Sequence, residues 1–277
     1  MAVDHYENFP VASLLLPVHL RQAVKNIYLF ARRADDLADE GDAPASERLR
    51  SLEQYRLGLH RIAAQKSTEG FGSQDLDRVF APLAQTIHHH QLPLEPFLNL
   101  ISAFEQDVVT TRYEDESDLL EYCRRSANPV GRLMLHLYGV TDSESLAQSD
   151  AICTALQLIN FMQDIRIDWH KGRLYLPAKD LRRFQVTEQA IAAGDIGPNW
   201  QALMHFQHQR CQSLLHFGRP LGNTLKGRIG LELRLIIEGG QRILDKLQDA
   251  QFDVFQHRPT LSSVDWITMF WRAIRSS

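Results

Sequence analysis

Residues 156–177 read LQLINFMQDIRIDWHKGRLYLP, and this stretch decides the architecture. Gln157, Asn160, Asp164 and Asp168 follow one another at steps of three, four and four. At ~100° per residue, eleven helical residues return to within roughly 20° of the starting direction. The four polar side chains therefore make one stripe on a helix otherwise built from Leu156, Leu158, Ile159, Phe161, Met162, Ile165 and Ile167. A helix apolar on nearly every side belongs in an interior. The stripe is then expected to be buried and to need partners. An internal hydrogen-bond network that fixes packing would supply them as well as a ligand would. Lys171, Arg173 and Tyr175 follow directly and could reach phosphate oxygens, arginine through its planar fork.

The pattern occurs a second time. In IYLFARRADDLADEGD (27–42), Tyr28, Arg32, Asp35 and Asp39 stand at steps of four, three and four. Asp35, Asp36, Asp39, Glu40 and Asp42 crowd carboxylates at the C-terminal end of their helix. Each costs about 0.3–1 kcal/mol against the helix dipole there. A solvated acidic helix end is one reading. A Mg²⁺ site is the other, because this ion prefers carboxylate oxygens and completes its shell with water and phosphate. Two such stripes facing each other could hold divalent metals and a phosphorylated ligand.

Outward from these segments the periodicity is helical nearly everywhere. Pro17 opens a helix with Leu20, Val24, Ile27, Phe30, Ala34 and Leu37 on its core face, and Gly41 stops it. Further helices are expected over 45–64, 75–91, from Leu94 onwards, over 118–139 with Asp118 and Glu121 as capping pair, and over 198–217 and 224–251. The stretch 141–150 reads as a loop, the second aspartate helix is expected to break near Gly172, and 173–177 looks extended. No alternating run demands a sheet. The expectation is one all-α domain over 1–277.

The 277 residues are 44% hydrophobic and 23% charged, as in a globular protein, and the formal net charge of −4 favours no nucleic-acid partner. Cys123, Cys153 and Cys211 are few and scattered, which fits unpaired thiols in a reducing cytosol. The N-terminus lacks the apolar run of a secretory signal. A cytoplasmic protein is expected, with loose peripheral contact at a membrane left open.

Taken together, HYENFPVASLLLP at the start, YLFARRADDLAD, YCRRSANPVG (122–131) and LQLINFMQD…D…KGRLYLP resemble the squalene/phytoene synthase family of head-to-head prenyl-coupling enzymes. The resemblance runs from about residue 5 to 258 and implies a single-domain, all-α isoprenoid-synthase helical bundle with a central cavity. It implies Mg²⁺ as cofactor, with Asp35 and Asp39 as one metal-binding pair and Asn160, Asp164 and Asp168 as the second set. By the same resemblance Tyr28, Arg32 and Gln157 contact the diphosphate or reacting carbons, Phe9 and Tyr122 line the substrate pocket, and Arg258 is a phosphate partner.

The coupling enzymes usually carry Arg directly before the second motif and Glu just before its last Asp, where this chain has Gln163 and Ile167. Ser126-Ala127-Asn128-Pro129 replaces a Val-Ala-Gly stretch. These departures resemble the hydroxysqualene synthases of the bacterial route to squalene and hopanoids, which ionise presqualene diphosphate and quench the rearranged cation with water. Transient contact with neighbouring pathway enzymes or a membrane is implied for such a protein. The alternatives are a coupling enzyme making presqualene diphosphate, dehydrosqualene or phytoene, and a non-catalytic assembly factor of the same fold.

Overall fold

A computed structural model of the chain describes residues 15–39, 41–64 and 73–275. They form two compact units, the first of residues 17–111 and 121–146, the second of 15–16, 112–120 and 147–275. No strand occurs among the described residues, where a lone parallel bridge joins Arg112 and Leu174. The expected all-α class is what the chain adopts.

In the first unit, a short 3₁₀ turn after Pro17 leads into α1 (Arg21–Asp39), followed by α2 (Ala45–Ala63), α3 (Gln74–His90) and α4 (Glu95–Val109). The apolar stripe of α1 buries Val24, Ile27, Phe30 and Ala34 as its periodicity dictates, while Leu37 stays half-buried. Phe30 is fully enclosed by Phe80 and Phe97, which meet its ring edge-on at 6.0 and 5.5 Å, and by Tyr55 at 5.7 Å. Edge-to-face contacts add directional preference to the burial. Gly58 lets α2 approach, since a Cβ there would stand 2.5 Å from the Phe80 ring. Buried Asn26 donates to Pro82 O at 3.1 Å and Thr86 Oγ1 at 2.9 Å, tying α1 to α3. The orientation of α1 is thus fixed by what lies beneath its acidic face.

The helix expected over 118–139 is in fact two, α5 (Glu116–Ser126) and α6 (Asn128–Leu137). Pro129 has no amide to bond back to the preceding turn, so the ladder is interrupted there. Its cap is Asp115, not Asp118: Asp115 Oδ1 accepts from Asp118 N at 3.1 Å and Ser117 Oγ at 2.6 Å.

The stretch 141–150 is not a loop. Helix α7 spans Ser143–Gln163, and its first turn is capped by Asp142 Oδ1 accepting from Ser145 N at 2.8 Å. Ser and Asp are turn formers that also serve as caps, and here the capping role prevails. Then come α8 (Ile165–His170), α9 (Ala178–Arg183), α10 (Glu188–Ala193), α11 (Pro198–Gly218), α12 (Leu221–Thr224), α13 (Gly227–Asp249) and α14 (Ser263–Arg275). The short α9, α10 and α12 and the terminal α14 had no counterpart in the sequence reading.

Candidate active site

Tyr28, Arg32, Asp35 and Asp39 all lie on α1 and are all half-buried. Arg32 answers the crowding of carboxylates, with Nη1 3.3 Å from Asp35 Oδ2 and Nη2 2.9 Å from Asp36 Oδ1. A second cation addresses the helix end. Arg48 of α2 donates through Nη1 to Ala38 O at 2.7 Å, through Nε to Ala43 O at 2.9 Å, and also to Gly41 O. One of the last carbonyls of α1, that of Ala38, is therefore satisfied by a guanidinium, which offsets the dipole cost of the nearby acids. Gly41 adopts φ +81°, the left-handed reversal expected of it.

Tyr122 is buried in the same unit, and its hydroxyl donates to buried Asp107 Oδ2 at 2.9 Å. Phe9 and Glu40 lie outside the described residues.

In the second unit the polar stripe is carried on α7 and α8, which meet at Asp164. Asp164 has φ −101° and ψ 9°, just outside the helical range, yet the ladder continues through it. Its amide donates to Asn160 O at 2.9 Å, and Asp168 N donates to Asp164 O at 2.8 Å. Asn160, Asp164 and Asp168 consequently keep their shared direction. The turn ends where expected: Gly172 takes φ +78°, Arg173 N returns to Asp168 O at 2.8 Å, and the chain leaves extended over 173–177.

Burial differs from the expectation. Asn160 is exposed, and Gln157, Asp164 and Asp168 are half-buried. The apolar side chains do not encircle the helix evenly: Ile152, Ala155, Leu158, Ile159, Met162 and Ile165 take the interior, leaving the polar stripe outside it. The fully buried polar group is instead Gln163, 1% exposed, whose Nε2 donates to Pro259 O at 2.7 Å.

Arg258 is bound to protein carboxylate. Its Nε meets Asp164 Oδ1 and its Nη2 meets Oδ2 at 3.1 Å, a fork-to-fork pair. Arg166 Nη1 donates to Phe255 O at 2.5 Å. Gln163, Asp164 and Arg166 thus stitch the 255–259 segment onto the α7–α8 junction. Gln163 and Arg166 bind it through main-chain carbonyls, a recruitment that sequence spacing does not reveal.

Lys171 is exposed and Arg173 half-buried. Tyr175 is buried and stacked: its ring lies 3.8 Å from Phe161 at 3° and 5.7 Å from Tyr113 at 25°. It presents an aromatic wall more than a free hydroxyl arm. Arg112 braces the extended segment, donating to Gly172 O at 2.7 Å while pairing with Glu188 at 2.9 Å.

Carboxylates thus occur as helix-face sets, and among the described residues no group of three or more His, Cys, Asp or Glu side chains is gathered to hold an ion by itself. Such hard-oxygen sets suit Mg²⁺, which takes one or two carboxylates and leaves positions for phosphate oxygens.

The squalene/phytoene synthase family model matches residues 2–265. A hydroxysqualene synthase of Rhodopseudomonas palustris is 31% identical over 272 residues, covering 98% of this chain and 88% of that relative. A 15-cis-phytoene synthase of Synechococcus elongatus is 29% identical over 268 residues, covering 91% and 83%. The crystal structure of squalene synthase HpnC from Alicyclobacillus acidocaldarius superimposes with a TM-score of 0.80 at 38% identity, covering 90% of each chain.

Proposed function

The chain belongs to the squalene/phytoene synthase family, and on that footing we propose that it converts presqualene diphosphate and water into hydroxysqualene and diphosphate. Family members act on prenyl diphosphates and use a divalent metal for ionisation. The carbon–oxygen bond to diphosphate breaks and its electron pair leaves with the diphosphate. The cyclopropylcarbinyl cation rearranges, a water oxygen bonds to carbon, and the surplus proton passes to solvent.

Asp35 and Asp39 would hold Mg²⁺ from α1, and Asn160, Asp164 and Asp168 would do so from α7 and α8. Bound there, Mg²⁺ supplies Lewis-acid stabilisation of the departing anion. Arg32, Lys171 and Arg173 would donate to diphosphate oxygens, and Gln157 would contact the diphosphate or the reacting carbons, the roles the family resemblance implies. Tyr28 and the stacked Phe161–Tyr175 pair offer aromatic faces whose quadrupoles favour a nearby carbocation. Phe9 and Tyr122 would line the substrate pocket, as the family resemblance implies.

Gln163 carries the choice of reaction. Coupling enzymes usually place Arg at this position, and here a neutral amide is committed to the Pro259 carbonyl. A site lacking that cation is suited to one diphosphate more than to two. The relative named hydroxysqualene synthase supports the same reading over 98% of the chain. A second reading, coupling of two prenyl diphosphates, is favoured by the similarly distant relative named phytoene synthase.

Purified protein with Mg²⁺ and presqualene diphosphate is expected to turn over without NADPH, and Asp35→Asn or Asp164→Asn to abolish it. Coupled C30 or C40 product from farnesyl or geranylgeranyl diphosphate alone would support the second reading instead. No product from any of these substrates would point to a non-catalytic relative.

A further inference from the structure

Helix α14 has two apolar faces, one buried and one exposed. The inner face buries Met269 and Ala273. It runs antiparallel to α13, as the register of its polar contacts requires: Arg242 Nε meets Asp265 Oδ1 at 2.7 Å, and eight residues further along each helix Arg234 Nε donates to Ala273 O at 2.7 Å. The outer face carries Val264, Ile267, Trp271 and Ile274, with exposures of 71, 61, 58 and 40%. Their steps of three, four and three confine them to about 80° of the helix circumference. Phe270, 44% exposed, widens the stripe on one side.

The exposed charges that α14 itself carries have one sign. Arg272 and Arg275 are exposed on its other flank. The sole acid of the helix, Asp265, is buried and occupied by Arg242 and by Lys246 at 2.5 Å, so it contributes nothing to the outer face. Exposed Lys226 and Arg228 open α13, whose antiparallel course brings that end toward the C-terminal end of α14. A contiguous apolar strip with Trp and Phe, rimmed by cations, matches the boundary between acyl chains and anionic headgroups. No described helix is long and apolar enough to cross a membrane.

We propose that α14 docks the protein on the surface of an anionic phospholipid bilayer, lying flat with Val264, Ile267, Phe270, Trp271 and Ile274 in the acyl boundary. Arg272 and Arg275 engage the lipid phosphates. The inference is independent of which prenyl diphosphate the enzyme consumes.

Flotation of the full chain with vesicles tests it. Wild type is expected to float with phosphatidylcholine vesicles that contain phosphatidylglycerol, and to be released as salt rises. Ile267→Glu with Trp271→Glu is expected to abolish flotation while leaving the thermal melting curve unchanged. Arg272→Gln with Arg275→Gln is expected to weaken it on the order of tenfold. Failure of wild type to float, or equal flotation of wild type and the Glu double variant, would overturn the proposal. So would a lipid-free dimer that the Glu double variant converts to monomer, since the face would then be covered by a second copy.

Discussion

Asp164 and Arg258, ninety-four residues apart in the chain, hold each other through both carboxylate oxygens and two guanidinium nitrogens. Both side chains are largely sheltered, 25% and 19% exposed. A carboxylate so engaged has its lone pairs directed at nitrogen, and a metal ion must compete with the arginine for them. Displaced by a metal, Arg258 would turn to the diphosphate, the role its position suggests by family resemblance. Arg258→Gln should therefore bind Mn²⁺ more tightly in the absence of substrate, by roughly fivefold, equivalent to about 1 kcal/mol of displaced ion pair. Titration followed by electron paramagnetic resonance reads this. Unchanged or weaker binding would mean that Asp164 is not a metal ligand.

Gln163 anchors the segment that carries Arg258. Replacing it by Leu leaves the half-buried Pro259 carbonyl without this donor, at a cost of about 1 kcal/mol. The urea midpoint should fall accordingly without a change in slope. A midpoint equal to wild type would show that the amide is dispensable to the fold.

Phe30 supports the acidic face of α1 from below. Phe30→Ala should remove about 3–5 kcal/mol of stability, because it deletes the ring contacts to Phe80, Phe97 and Tyr55, and Phe80 and Tyr55 cannot collapse into the space without losing their mutual edge contact. A loss under about 1 kcal/mol in equilibrium unfolding would contradict this packing role.

Burial pushes the Cys211 thiol up to about 12 and the Tyr55 phenol likewise to about 12. Both acids ionise more readily unfolded, so their contribution to stability is complete at neutral pH and is lost as pH rises from about 9 toward 12. Chemical denaturation across that window should show falling stability, and Cys211→Ala should lessen the slope between pH 9 and 11. Identical alkaline profiles for wild type and Cys211→Ala would exclude the thiol as a contributor.

Much of this was legible beforehand, and for particular reasons. Helix α1 was readable because its buried face repeats every third or fourth residue and Gly41 ends it; the break at Gly172 was readable for the same conformational reason. The cap at Asp115 and the early start of α7 were not, because Ser and Asp signal both turns and caps and only the local backbone decides between them. The burial of Gln163 in place of Asn160 escaped notice because nearly every position around α7 is apolar, which blurs the inward direction. The Arg258–Asp164 pair joins residues far apart in sequence, and Arg48 reaches back to main-chain carbonyls at the end of the preceding helix; periodicity supplies neither relationship. Helix α14 could have been found from the steps of three and four in VDWITMFWRAI, although that pattern alone does not say which of two apolar faces is covered.

Incubation with presqualene diphosphate and Mg²⁺ in ¹⁸O-enriched water, with NADPH omitted and the extracted lipid examined by mass spectrometry, separates the competing reactions in a single step. Hydroxysqualene carrying one ¹⁸O atom is the expected product, formed in step with released diphosphate. Unconsumed presqualene diphosphate, alongside efficient coupling of farnesyl diphosphate in a parallel tube, would contradict it.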